Sequence, residues 1–164
     1  MNGKEAPGLG ELLRYVGELV DQGAEEHYRE MHLRYRPRYT PVLRAMNAGA
    51  GTVTDITQRT HLTQGAISQS ISLMEADGLI SRRALEDGRK SGIQLTPHGR
   101  ALVRKLERHW VATFAAIGGL EDEIGHPLRQ VLEDTARALE RQGFADRLRA
   151  AKVRRTTGTH GDAS

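Results

Sequence analysis

Thr63-Gln64-Gly65-Ala66-Ile67-Ser68-Gln69-Ser70-Ile71-Ser72-Leu73-Met74-Glu75-Ala76-Asp77-Gly78 is the stretch whose reading decides the fold. Wound at about 100° per residue, Ile67, Ile71 and Met74 fall within roughly 60° of one another. Gly65, Ser68, Gln69, Ser72 and Ala76 collect on the opposite face. A helix that merely meets water carries Glu and Lys outward, and this one has neither before Glu75. A face of small and uncharged hydrogen-bonding side chains suits close approach to base-pair edges in a major groove ~12 Å wide. Thr63 stands where a capping hydroxyl belongs, close to a helix N-terminus that favours a phosphate. Ser68, Gln69 and Ser72 are the candidate readers. Gln69 is placed to bond adenine through both groups of its amide.

Working outward, Val53–Thr60 forms a helix joined to this one by the tight link His61-Leu62, which makes a helix-turn-helix. Gly78 follows at the position that favours glycine after a helix. Leu79–Leu85 and Ser91–Leu95 are extended runs around Glu86-Asp87-Gly88-Arg89-Lys90, and Asp-Gly is a strong hairpin signal. Arg82, Arg83, Arg89 and Lys90 bracket that loop. Arg83, Arg89 and Lys90 are therefore further candidate DNA contacts. An arginine at the tip of such an arm is attracted by a narrow, A·T-rich minor groove. Asp87 either holds the loop or orients Arg89. Alone this is a common surface turn; after a helix-turn-helix it reads as a wing.

The flanks are helical. Leu9, Leu12, Leu13, Val16, Leu19, Val20, Ala24, Tyr28 and Met31 recur at steps of three and four. Pro37 is expected to end that helix near Tyr35, at a length of about 40 Å. Such a helix exceeds what a small core covers, so it needs other helices or another subunit. Residues 39–48 form a short helix with Pro41 in its first turn. Thr96-Pro97 opens another, which Gly118-Gly119 is expected to interrupt. His126-Pro127 starts a last long helix that Gly143 kinks. The expected architecture is mainly α: a winged helix-turn-helix with a two-stranded β-hairpin wing, flanked by N- and C-terminal dimerisation helices. Its divisions are a flexible leader (1–8), an N-terminal dimerisation helix (9–36), a winged helix-turn-helix region (37–98), C-terminal dimerisation helices (99–150) and a disordered tail (151–164).

Charge follows the same map. Residues 38–105 hold ten Lys/Arg against five Asp/Glu, a net +5, and leave −2 for the rest of a 164-residue chain whose total is +3. That distribution is an electrostatic footprint for nucleic acid, although a solvated basic face has the same composition. The chain has no cysteine, which excludes thiol redox sensing and Cys-ligated zinc. No run approaches the ~20 apolar residues of a membrane span, and residues 1–10 lack the apolar core of a signal peptide. A cytoplasmic protein is expected.

The run Leu73-Met74-Glu75-Ala76-Asp77-Gly78-Leu79-Ile80, followed by Asp87-Gly88-Arg89 and Leu95-Thr96-Pro97-His98-Gly99, resembles the multiple-antibiotic-resistance regulator (MarR) family. That family pairs a helix ending in Glu-x-x-Gly-Leu with a wing of Asp-x-Arg and Leu-Thr-x-x-Gly. Five residues, Lys90 to Gln94, stand here where the signature has six. The resemblance covers roughly residues 9–150. It implies a homodimer with interleaved first and last helices, a palindromic operator, and Arg89 in the minor groove while Gln64, Ser68, Gln69 and Ser72 address the major groove. It also implies repression relieved by a small aromatic or acidic effector. Tyr28, His32, Tyr35, Arg36 and Arg38 are the candidate lining of an effector pocket, with an arginine pairing a carboxylate.

Other functions find less support. Seven histidines are scattered, and His27 and His32, five apart, project about 140° from each other, so no metal site is expected. No cofactor loop, Ser/His/Asp set or carboxylate pair announces an enzyme. An enzyme's dimerisation domain and a protein-interaction module built on a winged helix are the alternatives to a double-stranded-DNA-binding regulator. Steep loss of binding with salt separates the last from the first two.

Overall fold

The computed structural model describes residues 6–86 and 91–158. Its contacts divide the chain into two units, Met1–Glu107 and Arg108–Ser164. The first unit holds α1 (Leu9–Glu30), a 3-10 turn (Pro37–Tyr39), α2 (Thr40–Asn47), α3 (Val53–Arg59), α4 (Gln64–Ala76), β1 (Ile80–Ala84) and β2 (Ser91–Leu95). A long helix, α5 (Pro97–Ile124), begins in this unit and continues into the second, where α6 (Leu128–Arg141) and α7 (Phe144–Gly158) follow. The architecture is mainly α, with one two-stranded antiparallel sheet.

The core of the first unit is assembled from one stripe of each short helix. Val42 and Leu43 of α2, Ile56 of α3, Ile67, Ile71 and Met74 of α4, and Leu106 of α5 are all fully buried. Ile80 and Ile93 close it from the sheet side. Ser70 is also buried among the α4 residues, a polar position that the three-point apolar stripe of that helix does not mark.

Helix ends in this unit are set by backbone chemistry. Thr52 and Thr63 each cap a helix: Thr52 Oγ1 accepts from Asp55 N–H at 3.0 Å and Thr63 Oγ1 from Ala66 N–H at 3.1 Å. Asp55 returns to the Gly51 N–H at 3.0 Å, much as a capping box does. These bonds, the Gly51 one foremost, hold the Asp55 carboxyl below its usual range. At the other end of α4, Gly78 has φ +73, Gly78 N–H donates to Glu75 and Leu79 N–H to Met74. That 5→2 and 6→1 pair is the Schellman arrangement.

The same pair of bonds ends α1, and there the structure departs from expectation. His32 has φ +55, His32 N–H donates to Arg29 and Leu33 N–H to Tyr28. The helix stops at Glu30, five residues short of Tyr35. Histidine tolerates the left-handed region better than most residues, but it carries no glycine-like signal in a sequence. Pro37 therefore does not stop α1; it opens the 3-10 turn.

Three further expectations are corrected. α5 runs unbroken through Gly118-Gly119. Each glycine costs a helix about 1 kcal/mol relative to alanine, a weight that Ala115, Ala116, Leu120 and Glu121 on either side offset. Gly143 divides two helices rather than kinking one, with Gln142 extended at φ −143. Where a disordered tail from residue 151 was expected, α7 is helical to Gly158, as Ala150, Ala151, Lys152 and Arg154 favour.

Candidate nucleic-acid interface

β1 and β2 pair in antiparallel register from Ile80 with Leu95 to Ala84 with Ser91. Ile93 N–H also donates to the Gly51 carbonyl at 2.9 Å, which fastens β2 to the turn before α3. At the base of the hairpin, Thr96 Oγ1–H donates to the Gly78 carbonyl at 2.6 Å and Thr96 N–H to Leu79 at 3.0 Å. Thr96 Oγ1 then accepts from Gly99 N–H at 3.0 Å as the cap of α5. A Cβ on Gly99 would lie 2.0 Å from the Leu79 carbonyl oxygen, so only glycine fits. The Leu-Thr-x-x-Gly spacing is thus a clamp that ties the end of α4, the hairpin and α5 to one another.

On α4, Gly65, Ser68, Gln69 and Ser72 are exposed on the side away from the buried stripe, while Gln64 is exposed in the first turn, about 60° from Ile67. The Ser72 hydroxyl donates back to the Ser68 carbonyl at 3.1 Å, so its lone pairs face outward while its proton is engaged. Gln69 is engaged too: its Oε1 accepts from Arg38 Nη2 at 2.8 Å. The outer face is uncharged until Glu75, which forms an exposed ion pair with Arg82 at 3.0 Å.

Arg83 leaves the wing rather than extending it. A Cβ on Gly92 would meet its Cγ and Nε at 2.9 Å, and one on Gly51 would meet its Nη2 at 3.6 Å. The side chain therefore lies across the opposite strand with its guanidinium at the turn before α3. Asp87, Arg89 and Lys90 lie outside the described residues.

The five residues expected around an effector separate. His32, Tyr35 and Arg36 line a cleft of about 930 Å³, together with Arg29, Arg34, Asp77, His98 and Lys105 among others. Tyr28 is 3% exposed and stacks edge-on with Tyr35, ring centroids 4.6 Å apart. Arg38 belongs instead with Gln69 on the reading face. Tyr35 stacks in turn on Tyr39 at 5.9 Å. The Tyr35 hydroxyl lies 2.9 Å from Thr40 Oγ1, and burial pushes its pKa up. Tyr39 donates to Asp77 Oδ2 at 2.8 Å, and burial followed by that bond raises its pKa as well. This tyrosine ladder joins the cleft wall to the C-terminal end of α4.

Sequence reasoning missed His98 and Lys105 as cleft residues. With Leu102 they sit four and three apart on one face of α5, a stripe readable as periodic but not as facing the end of α1. Among the described residues, no group of three or more His, Asp or Glu side chains is placed to hold a metal.

The sequence model of the MarR family matches residues 36–90. Within those residues the chain is similar to the MarR family. Solved structures extend the likeness beyond that segment. The Mycobacterium tuberculosis transcriptional regulator MosR, solved in complex with DNA, is similar over 84% of this chain and 100% of its own, with a TM-score of 0.68 at 19% identity. The Staphylococcus aureus MepR–DNA complex is similar over 80% and 96%, with a TM-score of 0.60 at 19% identity. Escherichia coli MarR in its apo form is similar over 80% and 98%, with a TM-score of 0.54 at 20% identity. At these identities the likeness establishes the fold. A search of curated proteins returns no match to the chain. In the fold shared with these structures, α4 stands as the second helix of the helix-turn-helix, with the β1–β2 hairpin after it.

Proposed function

We propose that this chain is a sequence-specific double-stranded-DNA-binding transcription regulator, a homodimeric repressor that a small aromatic or acidic effector releases from a palindromic operator. The observation that carries the reading is the outer face of α4: Gly65, Ser68, Gln69 and Ser72 are exposed and uncharged, with Gln64 exposed in the first turn, in a segment similar to the MarR family. Thr63 holds the N-terminus of that helix in a position suited to a phosphate. On the sequence reading, Arg89 and Lys90 supply the wing contact, with Asp87 beside them. MosR and MepR, which share the fold, are solved on DNA.

Dimerisation is supported by apolar side chains left in water. On α1, Leu13 is 47% exposed and Leu19 52%; on α6, Val131 is 48% exposed. A second copy is the partner that a palindromic operator requires, with half-site centres about one helical turn apart. The charge of the cleft supports an acidic effector there, since Arg29, Arg34, Arg36 and Lys105 outnumber Glu25 and Asp77. Tyr35 supplies an aromatic wall. No helix among the described residues is long and apolar enough to cross a membrane, and the proposed role on DNA is a cytoplasmic one.

The test is a salt titration of binding to an operator duplex by fluorescence anisotropy. Affinity is expected to fall linearly on a log–log plot, with a slope of about −0.9 per phosphate neutralised. Arg89→Ala is expected to weaken binding about tenfold or more, by removing a minor-groove contact, with an unchanged circular dichroism spectrum. Binding indifferent to salt would point to a protein adaptor or an enzyme's dimerisation domain. Equal affinity of the variant would remove the wing from the account.

A further inference from the structure

The side-chain carbonyl of Gln69 is already engaged on one of its two lone pairs. Arg38 Nη2 donates to Gln69 Oε1 at 2.8 Å across thirty-one residues of sequence. A guanidinium has donors only, so the amide orientation is set by chemistry: the carbonyl faces Arg38 and the NH2 faces away. Arg38 leaves a turn that is itself fixed to α4. Its neighbour Tyr39 is fully buried and donates to Asp77, the residue that ends α4. Both Arg38 and Gln69 are exposed on the side of α4 away from its buried stripe.

We infer that Arg38 and Gln69 act as one reading unit that selects guanine, where Gln69 alone would select adenine. The inference rests on the proposal that α4 reads DNA. Adenine offers the major groove an N7 acceptor and an N6 amino donor, which a free glutamine amide matches with one donor and one acceptor. Guanine offers two acceptors, N7 and O6. With Oε1 turned into the guanidinium, Gln69 presents N–H donors, and the unused N–H groups of Arg38 extend the same donor-only edge. An adenine amino group brought to that edge meets donors and a positive charge. Arg38 thereby determines specificity through Gln69 in addition to any phosphate it neutralises.

The experiment selects duplexes from a random pool with the full-length protein and with Arg38→Ala, then measures affinity for the selected duplex with G·C, A·T or 7-deazaguanine at each position in turn. The wild type is expected to favour G·C over A·T about tenfold at one base pair per half-site, and to lose affinity with 7-deazaguanine there. Arg38→Ala is expected to reverse that preference toward A·T. Arg38→Lys, which keeps the charge and a donor, retains the guanine preference in part. In a Gln69→Ala background, Arg38→Ala should leave the ratio unchanged. If Arg38→Ala weakens every duplex equally and leaves the base ratio intact, Arg38 is a charge and nothing more, and the inference is overturned while DNA reading stands. If the wild type enriches no sequence at all, the reading of α4 falls and takes this inference with it.

Discussion

α1 and α4 carry similar sequence patterns and meet opposite fates. Both have apolar residues at steps of three and four. In α4 that stripe is fully buried at Ile67, Ile71 and Met74. In α1, Leu12, Leu13, Val16, Leu19 and Val20 are each more than 40% exposed, and Tyr28 at the far end is the one residue of the helix that is buried. A hydrophobic stripe states that a helix must be covered, and says nothing of what covers it. For α4 the cover comes from α2, α3, the sheet and the start of α5. For α1 the chain leaves the surface open, and exposed apolar patches of this kind mark interaction sites.

The sharpest way to break the contrast is to charge the open stripe. Leu13→Asp with Val16→Asp is expected to convert a dimer to a monomer and abolish tight operator binding, read by light scattering and anisotropy. Because both side chains are exposed in the single chain, its far-ultraviolet dichroism should barely change. A double variant that still runs as a dimer would place the interface elsewhere. Gly99→Ala probes the closed half of the comparison. A methyl group 2.0 Å from the Leu79 carbonyl forces the clamp apart, at a cost of about 1–3 kcal/mol or more by overpacking, seen as a lower thermal midpoint with the oligomeric state retained. Thr63→Ala sharpens it further: losing the cap of α4 should cost about 1 kcal/mol and weaken operator binding beyond that stability loss if the helix start also meets a phosphate. A loss of affinity no larger than the stability change would confine Thr63 to capping.

Local chemistry made much of the fold legible. The cap at Thr63, the glycine stop at Gly78 and the hairpin strands follow from chemistry close along the chain, so their sequence signals are short and specific. Candidate readers on α4 were legible for the same reason, since a face is a matter of angle. Where a signal was local but not decisive, it misled. Gly118-Gly119 reads as a break, yet two glycines weaken a long helix without forbidding it. His32 carries no stop signal, yet it takes the left-handed conformation that ends α1.

By itself, then, the sequence determined the helix-turn-helix, the hairpin that follows it, the outward composition of α4 and the presence of unpaired apolar stripes, because each depends on periodicity or on neighbours along the chain. Only the tertiary structure decided that Arg38 meets Gln69 rather than the cleft, that Arg83 folds back over Gly92, and that His98 and Lys105 join His32 and Arg36 around one cavity. Apart from Arg83 and Gly92, which face each other across the hairpin, those meetings link residues tens of positions apart. Their free energy comes from packing that brings distant segments together, which no local pattern encodes.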